Sequence, residues 1–108
     1  MLDAQMKRGL LETCVLSVLC RGESYGYKMI KDLSACVKVS ESTLYPILRR
    51  LETAGCLSVR SMEHNGRLRK IYAVTDEGRR QIAGFLESWG EVAAMYEFIK
   101  ESVSHDEK

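Results

Sequence analysis

The stretch from residue 40 to residue 72 reads SESTLYPILRRLETAG, then CLSVRSMEHNG, then RLRKIY, and it decides the fold. Its first part predicts an amphipathic helix, because four apolar residues fall at i, i+3, i+4 and i+7 and so share one buried stripe. These residues are Leu44, Ile47, Leu48 and Leu51. The opposite face carries hydroxyl groups, one aromatic ring and two guanidinium groups, on Ser42, Thr43, Tyr45, Arg49 and Arg50.

Both ends of this helix have their own signals. Ser40 or Ser42 can cap its start, and Gly55 can take the left-handed conformation that ends a helix. If Ser40 is the cap, Pro46 lies beyond the first turn, removes one backbone hydrogen bond and is expected to bend the helix. Taken alone, this segment is most simply interpreted as an ordinary surface helix.

The segment that follows predicts a β-hairpin with a basic tip. Leu57 and Val59 alternate with polar residues, as on a half-buried strand, and Asn65-Gly66 is a strong signal for a tight turn because both residues accept positive φ. Three cations stand close to that turn: Arg67, Arg69 and Lys70. Charges on a hairpin often only protect an exposed edge. After a capped helix with a basic face, however, they give the order of a winged helix-turn-helix, which can contact DNA with both parts.

Two further helices are predicted before this stretch. The first runs from about Met6 to Cys20 and Gly22 ends it. Ser24 is expected to cap the second. The apolar residues of the first helix are Leu10, Leu11, Val15, Val18 and Leu19, and those expected in the core from the second are Tyr25, Ile30 and Leu33, with Met29 beside them.

The last helix begins after Thr75, a capping residue that acidic residues follow. Its apolar residues step by 4, 3, 4, 3 and 4, a heptad-like spacing: Phe85, Trp89, Val92, Tyr96, Ile99 and Val103. A helix from Asp76 to about Ser102 is roughly 40 Å long and projects beyond a small domain. Its apolar stripe therefore predicts a two-fold homodimer. Folding back onto the first helix would cover only the near half.

The sequence thus predicts a mostly α fold with a small β-hairpin. Residues 1–75 form a winged helix-turn-helix DNA-binding domain, and residues 76–108 form a dimerisation helix with an acidic tail. Charge follows the same division: residues 1–75 hold 12 Lys/Arg against 7 Asp/Glu, whereas residues 76–108 hold 4 against 8. Because the two segments have net charges of opposite sign, we expect them to bind different partners.

Several classes of protein are disfavoured by what the sequence contains. No signal peptide and no membrane-spanning apolar run is recognised, so a cytoplasmic protein without a membrane partner is expected. The cysteines are then expected to be reduced, as small core residues, although a redox-sensing thiol stays open. They are Cys14, Cys20, Cys36 and Cys56. Their spacing gives little support to a metal site, and no catalytic arrangement or cofactor motif is recognised, so an enzyme is not expected.

The residues resemble the PadR family of bacterial transcriptional regulators over about Arg8 to Gly78. The resemblance rests on six segments in unbroken order: RGLLE at 8–12, YGY at 25–27, TLYPILRRLE at 43–52, NGR at 65–67, RKIY at 69–72 and TDEG at 75–78. The short acidic tail is similar to the compact subgroup, in which one C-terminal helix per subunit makes the dimer.

The resemblance implies a homodimeric repressor that reads a palindromic operator of a neighbouring gene. The residues that it assigns to DNA are Ser42, Thr43, Tyr45, Arg50, Asn65, Gly66, Arg67, Arg69 and Lys70. In similar drug-sensing members a tryptophan of the last helix lines an apolar pore at the dimer centre, which implies a planar aromatic effector beside Trp89 and Phe85. A purely structural role of Trp89 in the dimer core stays open. So does a winged-helix module that binds protein and senses no ligand.

Overall fold

The computed structural model describes residues 2–107; Met1 and Lys108, the outer limits of the two predicted segments, lie outside the described residues. Four helices and one two-stranded antiparallel sheet follow one another along the chain. They are α1 (Ala4–Leu19), α2 (Gly26–Leu33), α3 (Glu41–Thr53), β1 (Leu57–His64), β2 (Arg67–Val74) and α4 (Asp76–Asp106). The predicted fold class, mostly helical with a β-hairpin and a long C-terminal helix, is confirmed.

The core lies where the first three helices meet the base of the hairpin. The apolar stripe of α3 is buried throughout, as predicted. It packs against one face of α1, one face of α2 and the inner ends of both strands. The buried residues contributed by these elements are Val15, Leu16, Val18, Leu19, Met29, Leu33, Leu57 and Tyr72. Because the polar face of α3 is opposite this stripe, burying the stripe leaves the polar face exposed.

The connection between α1 and α2 differs from the prediction. Ser24 does not cap α2; its backbone instead forms an isolated antiparallel β-bridge with Tyr72 of β2. Tyr25 occupies the cap position without a side-chain hydrogen bond to the helix. It is only half-buried and does not belong to the core, so its predicted place there was wrong. Local sequence favoured a serine cap, but the unpaired edge of β2 provides backbone partners that Ser24 uses instead.

The ends of α3 are fixed by hydrogen bonds. The Ser40 hydroxyl accepts from the N–H of Thr43, which confirms Ser40 as the cap. At the other end Gly55 has a φ of 78°. Its N–H donates to the Glu52 carbonyl at 2.9 Å, and the next N–H, of Cys56, donates to the Leu51 carbonyl at 2.8 Å. These two bonds form a Schellman motif, which satisfies the last carbonyls of the helix and turns the chain into β1.

The hairpin has the predicted tight turn. Asn65 and Gly66 have φ values of 52° and 78°, as a type I′ turn requires. The turn sets the register, in which His64 pairs with Arg67 and Val59 with Tyr72. Since side chains alternate along a strand, Arg67 and Arg69 lie on one face of the sheet and Lys70 lies on the other.

The junction before α4 is bonded to the end of α3. Thr75 donates from its hydroxyl to the Gly55 carbonyl at 2.6 Å and from its N–H to the Cys56 carbonyl at 3.1 Å. The same hydroxyl accepts from the N–H of Gly78 at 3.1 Å, which confirms Thr75 as the cap. The first turns of α4 pack on the core through Ile82. Every described residue from Gly90 onward is exposed, and the described chain is 68 Å long but only 26 Å by 22 Å across.

Candidate nucleic-acid interface

An open cleft of 620 Å³ separates the start of α2 and α3 from the outer edge of β2. The helical wall consists of Tyr25, Gly26, Tyr27 and Tyr45, and the wing, meaning the outer half of the hairpin, supplies His64, Asn65, Arg67, Leu68, Arg69 and Lys70. The helical wall thus carries three tyrosines, and the wall formed by the wing carries three cations. Cations suit phosphate oxygens, and exposed tyrosine hydroxyl groups can donate to phosphate or base edges.

The structure brings five of the predicted DNA-binding residues together around this cleft. Tyr45 comes from α3; the other four, Asn65, Arg67, Arg69 and Lys70, come from the wing. Gly66 lies at the turn between them. Among residues 2–107, no acidic side chain lines the cleft, so the cations there are suited to an anionic partner.

Ser42 and Thr43 lie outside the cleft, in the exposed first turn of α3. The Ser40 hydroxyl is 2.9 Å from that of Ser42 and 3.2 Å from that of Thr43. These three hydroxyl groups form a small network at the start of the helix. They face solvent on the side of α3 away from the core, where a helix that enters a groove presents its first residues.

Arg50 lies on the other flank of α3 from Tyr45. Its Nε is 3.6 Å from Oε1 of Glu12 on α1, and both residues line a shallow groove with Pro46 and Thr53. Five residues along a helix correspond to a rotation of about 140°, so the side chains of Tyr45 and Arg50 do not project in the same direction. Arg50 therefore also joins α3 to α1.

Sequence reasoning left two exposed residues out of the site. Arg49 lies between the flanks of Tyr45 and Arg50 and lines a small pocket together with Lys70 and Tyr72. It stands on the polar face of the predicted helix, so the signal was present. Tyr27 is 70% exposed at the start of α2, beside the cleft. The sequence indicated Tyr27 only weakly: it is an aromatic residue in a short helix, and it does not lie on the apolar face of that helix.

Tyrosine side chains make the close contacts between the elements that form the cleft. Tyr45 lies so near α2 that a Cβ on Gly26 would overlap its hydroxyl oxygen. The guanidinium carbon of Arg69 lies 4.0 Å from the centre of the Tyr25 ring, a cation–π distance. Burial raises the pKa of Tyr72 at the floor, as do the charges of Tyr45 and Glu52, while Arg49 acts in the opposite direction.

The apolar stripe of α4 forms a second candidate surface. The rings of Phe85 and Trp89 are half-buried, with centres 5.8 Å apart and planes at 37°. Beyond them the stripe is exposed, from 43% at Val92 to 61% at Ile99. Phe98, exposed by 72% on the opposite side of the helix, was not predicted; it does not fit the heptad-like spacing.

The cysteines are all free thiols, and only Cys56 is fully buried. Burial raises the pKa of Cys56, as do the charges of Glu77 and Glu12, and its Sγ donates to the Gln81 side-chain oxygen at 2.9 Å. Over residues 2–107 no group of three His, Cys, Asp or Glu side chains is arranged to hold a metal ion. None of the described helices combines the length and the apolar character needed to cross a bilayer.

Comparison with known proteins identifies the family. The model of the transcriptional regulator PadR-like family matches residues 15–84. The transcriptional regulator Rv3488 of Mycobacterium tuberculosis is 33% identical over 76 residues, which cover 69% of this chain and 71% of that protein. A PadR family transcriptional regulator from Eggerthella lenta superposes with a TM-score of 0.81 at 34% identity, over 90% of this chain and 87% of the other.

A DNA complex is also among the similar structures. Bacillus subtilis PadR, solved with operator DNA, superposes with a TM-score of 0.64 at 25% identity, over 70% of this chain and 46% of that chain. The chain thus spans less than half of that PadR. Because the family match covers residues 15–84 and the similar proteins are transcriptional regulators rather than enzymes, the protein belongs to the PadR-like family of DNA-binding transcriptional regulators.

Proposed function

We propose that the protein is a homodimeric repressor that reads a palindromic operator of a neighbouring gene. The observation that carries the proposal is the cleft that Tyr45 of α3 and three cations of the wing line together. A helix in a major groove with a wing on the adjacent backbone uses such a surface. The operator complex of Bacillus subtilis PadR supports the same partner class.

Within this interface the residues have different roles. Ser42, Thr43, Tyr45 and Arg50 contact DNA from α3, with Arg49 added because of its exposure on the same face. Asn65, Gly66, Arg67, Arg69 and Lys70 contact the backbone from the wing. Phosphate contacts hold the protein in register, and base-edge contacts from α3 read the sequence.

Dimerisation is assigned to residues 76–108, and DNA binding to residues 1–75. The support is the exposed stripe of α4, which continues beyond the core of its own chain through Val92, Tyr96, Ile99 and Val103. An apolar surface of this kind is stabilised when a second copy covers it. A two-fold dimer then holds two copies of α3 at a fixed spacing, as a palindromic operator requires.

Selection of bound fragments from the source genome tests this proposal. We expect recovered fragments to share two inverted half-sites, with centres about one helical turn of DNA or a multiple of it apart. Deleting the gene should then raise transcription of the gene beside the recovered site. Recovery of unrelated fragments, or of a single half-site without symmetry, would contradict a dimeric operator reader.

An effector site is proposed at Phe85 and Trp89. If the two α4 helices cross there, the aromatic rings of both subunits form a slot that suits a planar aromatic ligand by stacking. Such a ligand releases DNA only if it prefers a subunit arrangement that misaligns the two α3 helices. Trp89 is the sole tryptophan of the chain, so its fluorescence reports this site directly.

The effector proposal has a fluorescence test. Planar aromatic dyes are expected to quench Trp89 saturably and to weaken operator binding. In the Trp89→Ala variant operator binding should persist, its sensitivity to dye should disappear, and sedimentation should still give a dimer. If no planar compound quenches Trp89 at sub-millimolar concentration, Trp89 is a packing residue and this effector site does not exist.

A further inference from the structure

The ring of Tyr25 and the guanidinium group of Arg69 make a contact that the core does not require. Tyr25 is half-buried, lies outside the core cluster and gives α2 no side-chain cap. None of the ion pairs within residues 2–107 includes Arg69. The contact between them, 4.0 Å from the Arg69 Cζ to the ring centre, is thus the interaction that holds this guanidinium group.

The main chain fixes the distance between these two side chains. The N–H of Ser24 donates to the Tyr72 carbonyl at 3.0 Å, and the N–H of Tyr72 donates to the Ser24 carbonyl at 2.7 Å. Antiparallel pairing then sets Tyr25 opposite Ile71, and Arg69, two residues before Ile71 in β2, points to the same face. Tyr25 is therefore the diagonal neighbour of Arg69, placed there by backbone hydrogen bonds.

A contact through the flat face of the guanidinium group would leave the N–H donors of Arg69 available. A guanidinium group on an aromatic ring uses its flat face, whereas its N–H donors lie in its plane. Those donors can still bond to a phosphate on the cleft side, since both residues line the cleft. The contact with the Tyr25 ring also restricts a long side chain before DNA arrives, so that less conformational freedom is lost on binding.

We propose that Tyr25 is a positioning residue for DNA binding, whose ring holds Arg69 with its N–H donors directed at a backbone phosphate. This inference rests on the proposed contact between Arg69 and DNA. It gives the β-bridge between Ser24 and Tyr72 a role in binding, because that bridge places the ring. Tyr25 itself need not touch the DNA.

A double-mutant cycle tests the inference on the full-length chain. Tyr25→Leu and Tyr25→Phe are each made in the wild-type protein and in Arg69→Ala, and affinity for a mixed-sequence DNA duplex is measured at fixed salt. We expect Tyr25→Leu to weaken binding about 2- to 5-fold in the wild-type protein, the range of an exposed cation–π contact. In Arg69→Ala it should cause no further loss. Tyr25→Phe keeps the ring and should bind like wild type.

The possible outcomes separate this inference from the function on which it rests. An equal loss from Tyr25→Leu in both backgrounds overturns it, because Tyr25 would then act on DNA or on folding without Arg69. No loss from Tyr25→Leu in the wild-type protein also overturns it. If Arg69→Ala alone leaves affinity unchanged, the proposed Arg69 contact is wrong and the inference falls with it. Thermal unfolding of each variant identifies any loss that comes from misfolding.

Discussion

At the scale of a single residue, Gly78 shows how closely α4 approaches the turn after α3. A Cβ there would overlap the Cys56 carbonyl oxygen and would lie 2.8 Å from Cγ2 of Val74. That oxygen accepts the hydrogen bond of the Thr75 N–H, so it cannot move freely. We expect Gly78→Ala to lower the free energy of unfolding by about 1–3 kcal/mol, measured by chemical denaturation at fixed protein concentration.

Gly84 of the same helix provides the matched control. It is exposed, and a Cβ there would meet no atom within 4 Å. Since alanine favours a helix over glycine, Gly84→Ala should raise the free energy of unfolding by about 0.5–1 kcal/mol. Equal shifts for the two variants would show that the overlap at Gly78 is relieved without cost.

The buried phenol of Tyr72 predicts a loss of stability in alkali. Burial raises its pKa, and burial also raises the pKa of Cys14 and Cys56. The unfolded chain therefore ionises first, at about pH 8.5 for thiols and about pH 10 for the phenol. The free energy of unfolding is therefore unaffected by these groups below that pH range, and it falls as the pH rises through the range. The decline is measured from denaturation midpoints under reducing conditions, between about pH 8 and about pH 10.5. Tyr72→Phe should make the decline smaller, and an unchanged decline would exclude Tyr72 as a cause.

At the scale of an element, the wing is expected to supply the salt-dependent part of DNA binding. Changing Arg67, Arg69 and Lys70 to alanine should weaken binding to any DNA sequence. Each lost phosphate contact should reduce the slope of log affinity against log salt by about 0.9. The measurement is affinity for mixed-sequence DNA over a range of salt concentrations.

The control for the wing variant removes three positive charges from a part of the surface outside the cleft. Lys31, Arg79 and Arg80 are exposed and do not line the cleft. Changing these three to alanine should leave the slope almost unchanged, because distant exposed charges are screened by salt. If both triple variants flatten the slope alike, net charge rather than contact by the wing explains the binding.

The helix α3 is expected to read bases through Tyr45 and Arg50. Alanine at either residue should cost about 1–3 kcal/mol more on operator than on mixed DNA. Because Arg50 also pairs with Glu12, its variant should lose up to about 1 kcal/mol of stability. Glu12→Gln separates the two effects, since it breaks the pair but keeps the guanidinium group. Equal losses on both DNAs would make Tyr45 and Arg50 backbone contacts.

Elements bounded by local chemistry could be predicted from the sequence. The Ser40 and Thr75 caps, the left-handed Gly55 and the Asn65-Gly66 turn all depend on neighbours within a few residues. Ser24 has the same local chemistry as Ser40, but a strand far along the chain provides its partners. The pairing of Arg50 with Glu12 also joins distant segments. Local patterns assign such residues to a helix or to an exposed face, but they do not show which distant group lies there.

At the scale of the whole molecule, the exposed half of α4 is expected to decide assembly. Truncation after Gly90 removes Val92, Tyr96, Ile99 and Val103 but leaves the turns that pack on the core. We expect a folded monomer that binds operator weakly, because two half-sites are no longer held together. Sedimentation and thermal unfolding of the truncated chain measure both properties. A dimer that survives would place the interface elsewhere, such as on α1.

The hydrogen bonds of Thr75 have a mechanical consequence. They join α4 to the end of α3 without a flexible linker, so a torque on α4 turns α3 as well. Trp89 lies fourteen residues after Thr75, a lever arm of about 21 Å at 1.5 Å per residue. A pivot of about 5° at Trp89 would then displace the Thr75 end of α4 by about 2 Å, against the roughly 0.5 Å within which a binding geometry must be held. A stiff joint between α4 and α3 thus converts a few degrees of tilt of α4 into a loss of the register between α3 and DNA.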